Sequence, residues 1–267
     1  MTYQRYVALG DSQTEGLGDW DEAVGYRGFA DRLADELVQS NPGLQYANLA
    51  VRGLGVAQIK AGQLDAALAL QPDIATVVGG MNDLMRPGCR PAEVAAELEE
   101  MFAALTAAGA AVATVTLPDI GKIAPIAKRL RPRVVDFNAR IKAAAERHGV
   151  LVADTYPYAV AGDPRLWSAD RLHASPIGHA RIAAAVSQVL GLPGSDDSWT
   201  LPLDPQARPT PWQAARTELT WLGTFLAPWI YRRLRGRSSG DGRSAKRPQL
   251  TPVAQRASAD NGSSGQG

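Results

Sequence analysis

The chain has 267 residues, enough for one α/β domain or two small ones, and apolar residues make up 45% of it. Its formal net charge is only +1, so the molecule as a whole lacks the strong positive charge that attracts nucleic acid, and no nucleic-acid partner is expected. A single cysteine, Cys89, excludes an internal disulfide bond and a cysteine-rich metal site.

The first 190 residues alternate between strand-like and helix-like segments. The predicted strands are Tyr3–Leu9, Leu44–Ala50, Ile74–Val78, Ala111–Leu117 and Val150–Asp154, and the predicted helices are Tyr26–Ser40, Val56–Leu70, Arg90–Ala108, Val134–His148 and Gly178–Leu190. Five strands separated by helices predict a parallel sheet covered by helices on both faces. Ligands of such sheets bind at the carboxyl ends of the strands, so the residues just after each strand are the site candidates.

Composition divides the chain into four parts. Residues 1–192 form the α/β domain, 193–211 read as a Pro-rich linker, 212–235 as an amphipathic helix and 236–267 as a basic tail. The tail is poor in large apolar residues, and we expect it to be disordered.

The charge of the C-terminal end leaves three interpretations open. Residues 228–267 carry eight Lys or Arg against two Asp, a net charge of +6. This segment is a solvated end, a support that holds the helix against the domain, or a weak contact with an anionic membrane surface.

The ends of the sequence also bear on localisation. The first strand starts almost at once, with no basic and apolar leader before it, and no window holds the roughly 18 apolar residues of a membrane span. The expectation is a cytoplasmic protein.

A serine nucleophile is the first candidate for chemistry. A serine hydrolase needs a nucleophile, a base within hydrogen-bonding distance and a group that orients the base. Ser12 follows the first strand in the tripeptide Gly10-Asp11-Ser12, where a strand-to-helix turn can present its hydroxyl. Taken alone, this tripeptide is more typical of a helix N-cap or a turn than of a nucleophile.

Asp170 and His173 stand three positions apart in Ser-Ala-Asp-Arg-Leu-His. In one tight turn, the carboxylate can accept a hydrogen bond from one ring nitrogen and leave the other to take the serine proton. Such a pair also fits an ordinary surface loop. For the other two histidines, His148 and His179, we favour capping or packing roles.

Gly53 and Asn82 also follow predicted strands. Glycine allows close backbone approach, and an asparagine amide donates a hydrogen bond without a charge, so both suit an oxyanion hole. A turn glycine and a turn asparagine are the ordinary alternatives. Asp83 is interpreted as a loop-orienting residue, and Cys89 as inert.

The four motifs occur together and in order: G-D-S at 10–12, N-x-x-x-x-G ending at Gly53, G-x-N-D at 80–83 and D-x-x-H at 170–173. Over residues 3–190 the chain thereby resembles the SGNH hydrolase family, also called GDSL esterases and lipases. The resemblance implies a flavodoxin-like α/β/α sandwich with a five-stranded parallel sheet. It also implies a triad of Ser12, Asp170 and His173, and oxyanion donors on Ser12, Gly53 and Asn82.

One position departs from the family pattern. Gln13 stands where the GDSL name has Leu, a position whose side chain performs no step of the chemistry. Thr14 also removes the G-x-S-x-G motif, which disfavours a standard α/β-hydrolase nucleophile elbow.

The predicted function is hydrolysis of carboxylic esters, of acyl chains or of acetylated small molecules, through an acyl-enzyme and without a metal or organic cofactor. An acyltransferase with the same triad and a catalytically silent binding module are the alternatives. Product analysis with an added alcohol distinguishes a hydrolase from an acyltransferase. Fluorophosphonate labelling of Ser12 distinguishes an enzyme from a binding module.

Overall fold

A computed structural model describes residues 2–206, 210–228, 231, 235 and 239–253. The strands are β1 Arg5–Gly10, β2 Trp20–Asp21, β3 Gly25–Tyr26, β4 Gln45–Asn48, β5 Ile74–Val78, β6 Ala111–Val115, β7 Leu151–Ala153 and β8 Arg247–Pro252. The α-helices are α1 Ser12–Glu15, α2 Phe29–Ser40, α3 Val56–Ala69, α4 Met81–Leu84, α5 Pro91–Ala107, α6 Ile120–Ile123, α7 Arg131–His148, α8 Pro176–Val189 and α9 Pro211–Trp221. Short 3₁₀ turns lie at Pro125–Leu130, Ala159–Gly162, Pro164–Leu166 and Ser198–Thr200, and a π turn, Leu222–Leu226, follows α9.

The main sheet has the strand order β7-β6-β5-β1-β4-β8. The five strands from β7 to β4 are parallel, which confirms the predicted α/β fold and its flavodoxin-like order. Because β1 lies between β4 and β5, the chain passes from β1 to β4 on one side of it and then crosses to β5 on the other side. The crevice at such a switch point lies beyond the carboxyl end of β1, where Ser12 follows.

Side chains of β1 alternate between two cores, one on each face of the sheet. Val7 and Leu9 pack with residues of α3, α5 and α7. Tyr6 and Ala8 pack with residues of α2 and α8 on the opposite face. Burial on both faces explains why these strands read as continuous apolar runs.

The sixth strand is the main difference from the predicted fold. The expectation of disorder over 236–267 is wrong for β8, which pairs antiparallel with β4, while residues 254–267 lie outside the described residues. Leu250 packs on one core and Val253 belongs to the other. An edge strand is held in place largely by hydrogen bonds between backbone groups, so it needs few large apolar side chains. Composition therefore gave no sign of β8.

The segment before β8 crosses the domain. The ammonium group of Lys246 donates to the backbone oxygens of Glu15 and Tyr26, at 2.7 and 2.8 Å, and to Asp31 Oδ2 at 2.6 Å. Gly240 passes so close to the carbonyl of Arg52 that a Cβ atom would collide with it. The basic segment is therefore bound to the domain at this point.

Residues of the predicted linker also pack on the domain. The indole of Trp199 is only 6% exposed and donates to Gln188 Oε1 at 2.6 Å. Its ring meets that of Tyr158 edge to face at 4.8 Å. Consequently the first part of 193–211 is docked rather than a free spacer.

The predicted helix 212–235 begins at Pro211 and continues beyond Trp221 as the π turn. Residues 229, 230 and 232–234 lie outside the described residues. Trp221 is 8% exposed, whereas Leu219 is 70% exposed, so the helix contacts the domain through only part of its apolar side. Within the described part of the chain, no helix is both long and apolar enough to cross a membrane.

β8 is expected to contribute measurably to stability. A chain ending at 253 should be more stable than one ending at 244, by at least about 2 kcal/mol, because only the former keeps Leu250, Val253 and the edge pairing. Urea unfolding of both chains measures this difference. Equal unfolding midpoints would show that β8 does not stabilise the fold.

Candidate active site

The turn that carries Ser12 is fixed by its glycine and by a buried glutamine. A Cβ atom on Gly10 would collide with the side chain of Thr14 and the carbonyl of Val78, so only glycine fits. The Gln63 amide binds both backbone groups of Gly10, accepting from its N–H at 2.8 Å and donating to its carbonyl at 2.9 Å. Asp11 then caps α1 by accepting from the backbone N–H of Gln13 at 3.2 Å.

The structure brings Ser12, His173 and Asp170 into one chain of hydrogen bonds. Ser12 Oγ lies 2.9 Å from His173 Nε2, and His173 Nδ1 lies 2.6 Å from Asp170 Oδ2. With the proton on Nδ1 directed at the carboxylate, Nε2 is left to accept the serine proton. This arrangement is the one that the Asp170-x-x-His173 spacing predicted.

The Asp170 carboxylate is held by its own loop. Its Oδ1 accepts from the backbone N–H groups of Leu172 and His173, at 2.9 and 3.0 Å, and from the hydroxyl of Ser168 at 2.7 Å. Burial alone would raise the pKa of Asp170, but the hydrogen bonds and charge of His173 and the bond from Ser168 outweigh it and hold that pKa well below its usual value. Asp170 is therefore ionised at neutral pH.

Arg171 gives this loop its shape. It has a φ of 60°, in the left-handed region, where a residue with a side chain costs about 1–2 kcal/mol. The bend turns the chain back so that the N–H groups of Leu172 and His173 reach Asp170. Such a conformation persists when surrounding contacts hold it.

Gln13 is a site residue that the sequence analysis missed. Its side-chain Nε2 donates to the carbonyl of Leu172 at 2.9 Å, and its Oε1 accepts from the N–H of Ala174 at 3.2 Å. One amide thus fixes the backbone on both sides of His173. The only signal in the sequence was the departure itself, a polar residue where GDSL has Leu.

Gly53 lies in a turn anchored to α1. It has a φ of 78°, which favours glycine. The preceding Arg52 donates its backbone N–H to Glu15 at 2.8 Å, and its guanidinium binds the same carboxylate. This buried ion pair ties the Gly53 turn to the end of the helix that Ser12 begins.

Asn82 lies beside the same turn. Its Nδ2 donates to Asp11 Oδ2 at 3.1 Å and to the carbonyl of Leu54 at 3.0 Å. These contacts orient the amide, and donation to an oxyanion would replace one of them. The oxyanion roles of Gly53 and Asn82 stay predictions.

Asp11 has a different electrostatic environment from Asp170. Burial is the main cause that raises its pKa to about 6, and the nearby Asp83 adds to it. The N–H of Gln13, His173 and Asn82 act in the opposite direction. Asp11 thus gains a proton at a pH where Asp170 remains ionised.

The remaining polar candidates have structural contacts. Asp83 Oδ2 accepts from the N–H of Val56 at 2.9 Å, and burial raises the pKa of the Cys89 thiol. His148 Nε2 lies 3.2 Å from Glu99 at the end of α7. In the described part of the chain, no group of three or more His, Cys, Asp or Glu side chains could hold a metal ion.

His179 is a buried packing residue. Its Nδ1 accepts from the N–H of Phe29 at 3.1 Å, and its Nε2 donates to the carbonyl of Leu17 at 2.9 Å. Burial is the main cause that lowers its pKa to about 4. It is neutral at pH 7 and joins α8 to α2.

A mostly apolar cavity lies beside the site. Three of its lining residues, Gln13, Met81 and Leu172, are neighbours in sequence of Ser12, Asn82 and His173. The rest of the lining is mostly apolar and includes Val115, Leu117, Ile120, Val160, Leu166 and Trp199.

Comparison with known families decides the assignment. A model of the GDSL-like Lipase/Acylhydrolase family matches residues 8–181. The chain belongs to the GDSL-like lipase/acylhydrolase family. It is accordingly a carboxylic-ester hydrolase, and the recognition made from its four motifs is confirmed.

Solved structures of GDSL-type and related hydrolases share the fold. TesA is 24% identical, with a TM-score of 0.57, and the match covers 70% of this chain and 98% of TesA. Axe2, an acetylxylan esterase from Geobacillus stearothermophilus, is 20% identical with a TM-score of 0.60, and the match covers 73% of this chain and 97% of Axe2. LAE5, an alpha/beta hydrolase enzyme from the metagenome of Lake Arreo in Spain, is 23% identical with a TM-score of 0.60, covering 71% and 95%. A search of curated proteins finds no significant match.

His179 should make stability depend on pH in this GDSL hydrolase. Its pKa is lower in the folded state than the unfolded value of about 6.5, so its contribution is present above pH 6.5 and is lost as the pH falls towards 4. We expect His179→Gln to be less stable than wild type at pH 7.5 and the difference to shrink at pH 4.5, by as much as roughly 3 kcal/mol.

Urea unfolding at the two pH values measures this change. The control is His148→Gln, since the His148 side chain is 28% exposed. A His179→Gln difference that is the same at both pH values would contradict the assignment of His179 as a buried neutral residue.

Proposed function

We propose that the enzyme cleaves its esters through an acyl-enzyme on Ser12. His173 takes the Ser12 proton as the oxygen attacks the ester carbonyl, and then gives a proton to the departing alcohol; water repeats the attack on the acyl-enzyme. Asp170 stays ionised and holds His173 in the required tautomer. The hydrogen-bond chain from Ser12 through His173 to Asp170 carries this proposal.

The oxyanion of each step would be bound by the backbone N–H groups of Ser12 and Gly53 and by the Asn82 amide. The position of Gly53 supports this role, because its turn is tied to the helix that begins at Ser12. Asn82 is hydrogen-bonded to Asp11, the residue before Ser12.

The likeness to Axe2 adds support. Catalytic mutants of that acetylxylan esterase replace a serine, an aspartate and a histidine, the last two being three positions apart. Asp170 and His173 have the same separation.

The substrate we propose is an ester with an apolar acyl chain. Its carbonyl at Ser12 would place the chain next to Gln13, Met81 and Leu172, and so at the mouth of the apolar cavity. Burial there removes the chain from water. This cavity favours acyl esters over acetylated small molecules.

Replacement of Ser12 tests the mechanism. Ser12→Ala should lower kcat by about 10⁴–10⁶ without lowering the melting temperature, and His173→Ala should match it. The double variant should be little worse than either, because the two residues act as one unit. Kinetics on an activated ester and fluorophosphonate labelling of the Ser12 peptide measure this, with the exposed Ser40→Ala as control. Retention of a tenth of the activity by Ser12→Ala would exclude it as the nucleophile.

A panel of esters from acetyl to decanoyl tests the substrate. Each buried methylene should add about 0.8 kcal/mol, or roughly fourfold in kcat/KM, until the cavity is filled. Ala161→Phe places a ring in the cavity and should reduce this gain while leaving acetyl ester hydrolysis similar. The control is Ala104→Phe on α5, also half-buried. A wild-type rate that falls from acetyl onwards would contradict an acyl-chain pocket.

Two further proposals concern partners. Transfer of the acyl group to an added alcohol in place of water would identify an acyltransferase with the same site.

Contact with an anionic membrane surface is supported by the exposed Leu219, Leu222 and Phe225 beyond the core domain and by the basic residues after them. Salt-sensitive binding to anionic vesicles is its test.

A further inference from the structure

The C-terminal extension contacts the loop between Asp170 and His173. The matched family model ends at residue 181, so α9 lies outside the shared segment. Trp221, at the end of α9, is 8% exposed, whereas Trp212 at its start is 80% exposed. Helix α9 thus reaches the domain through Trp221.

Trp221 binds the peptide group that joins Asp170 to Arg171. Its indole Nε1 donates to the carbonyl of Asp170 at 3.0 Å. The guanidinium of Arg171 lies over the indole ring, 4.7 Å from its centre. Trp221 therefore contacts the backbone at Asp170 and the side chain of Arg171 at the same time.

Glu218, one turn earlier in α9, holds the same arginine. Its carboxylate lies 2.7 Å from Arg171 Nη1. An ion pair with a half-exposed carboxylate contributes little to stability by itself. Its effect here is to direct the Arg171 side chain, which is 16% exposed, onto Trp221.

These contacts fall on the strained residue of the loop. Arg171 has left-handed backbone angles, and this conformation needs support from its surroundings. The bend at Arg171 directs two backbone N–H groups at Asp170 Oδ1 and so leaves Oδ2 for His173. A relaxed loop would turn the carboxylate away from the imidazole.

We propose that Trp221 is a positioning residue for the esterase reaction, holding Asp170 in line with His173 from outside the family's shared domain. The inference rests on the proposed role of the Ser12–His173–Asp170 chain. By this mechanism the extension does not touch the ester; it acts by keeping the carboxylate 2.6 Å from the imidazole nitrogen.

The test uses three variants of the full chain. Trp221→Ala removes the hydrogen bond and the ring, and should lower kcat by about 10- to 100-fold with KM nearly unchanged. Trp221→Phe keeps a ring for Arg171 to cover and should lower kcat by a smaller factor. Trp212→Ala removes an exposed tryptophan from the same helix and should keep wild-type kinetics.

Two readouts separate positioning from a general loss of stability. The acidic limb of the kcat/KM profile should move to lower pH in Trp221→Ala, because a displaced carboxylate stabilises the protonated imidazole less. The downfield proton resonance of the His173–Asp170 hydrogen bond, assigned by its loss in His173→Ala, should move upfield. Measurements are made below the melting temperature of each variant.

The outcomes distinguish this inference from the proposed mechanism. Wild-type kcat, pH profile and proton resonance in Trp221→Ala, together with an inactive Ser12→Ala, would overturn the role of Trp221 alone. An active Ser12→Ala would overturn the mechanism on which that role rests.

Discussion

The hydrogen bond between Ser12 and His173 joins residues that are 161 positions apart. Its 2.9 Å length requires the carboxyl end of β1 and the loop before α8 to be placed accurately relative to each other. The carboxyl end of β1 is fixed by a pair of buried hydrogen bonds between Gly10 and the Gln63 amide. Gln13 then links the two segments directly, because its amide binds the backbone on both sides of His173.

The two aspartates of the site lie in different environments, which shift their pKa values in opposite directions. Asp170 receives three hydrogen bonds on one oxygen and the imidazole on the other, so its charge is stabilised. Asp11 is buried with fewer donors, and its pKa rises to about 6. Environments that separate the pKa values of neighbouring carboxyl groups are common in active sites. Here Asp170, beside the histidine, keeps its charge at a pH low enough to protonate Asp11.

The C-terminal extension contacts the domain at two separate places. Residues 239–253 cross Arg52 and complete the edge of the sheet as β8. Trp221 of α9 reaches the Asp170 loop on another side. The matched family model ends at residue 181, so these contacts involve residues beyond the segment that it covers.

Much of the core fold, and the choice of candidate site residues, could be predicted from the sequence alone. Apolar runs separated by amphipathic helices predict a parallel sheet, since each strand must be buried on both faces. The rule that ligands bind at strand ends selected Ser12, Gly53 and Asn82, and the D-x-x-H spacing selected Asp170 and His173. These features are local, or depend on a regular pattern that repeats along the chain.

Other features were decided only by tertiary structure. The role of Gln13 depends on backbone groups about 160 residues away, and that of Trp221 on a carbonyl 51 residues away. β8 forms because the edge of β4 offers unpaired backbone groups, a partner that composition cannot reveal. The cavity likewise exists only where the ends of strands, a loop and α8 meet. Each of these depends on which distant segments become neighbours, and a local sequence pattern does not encode that information.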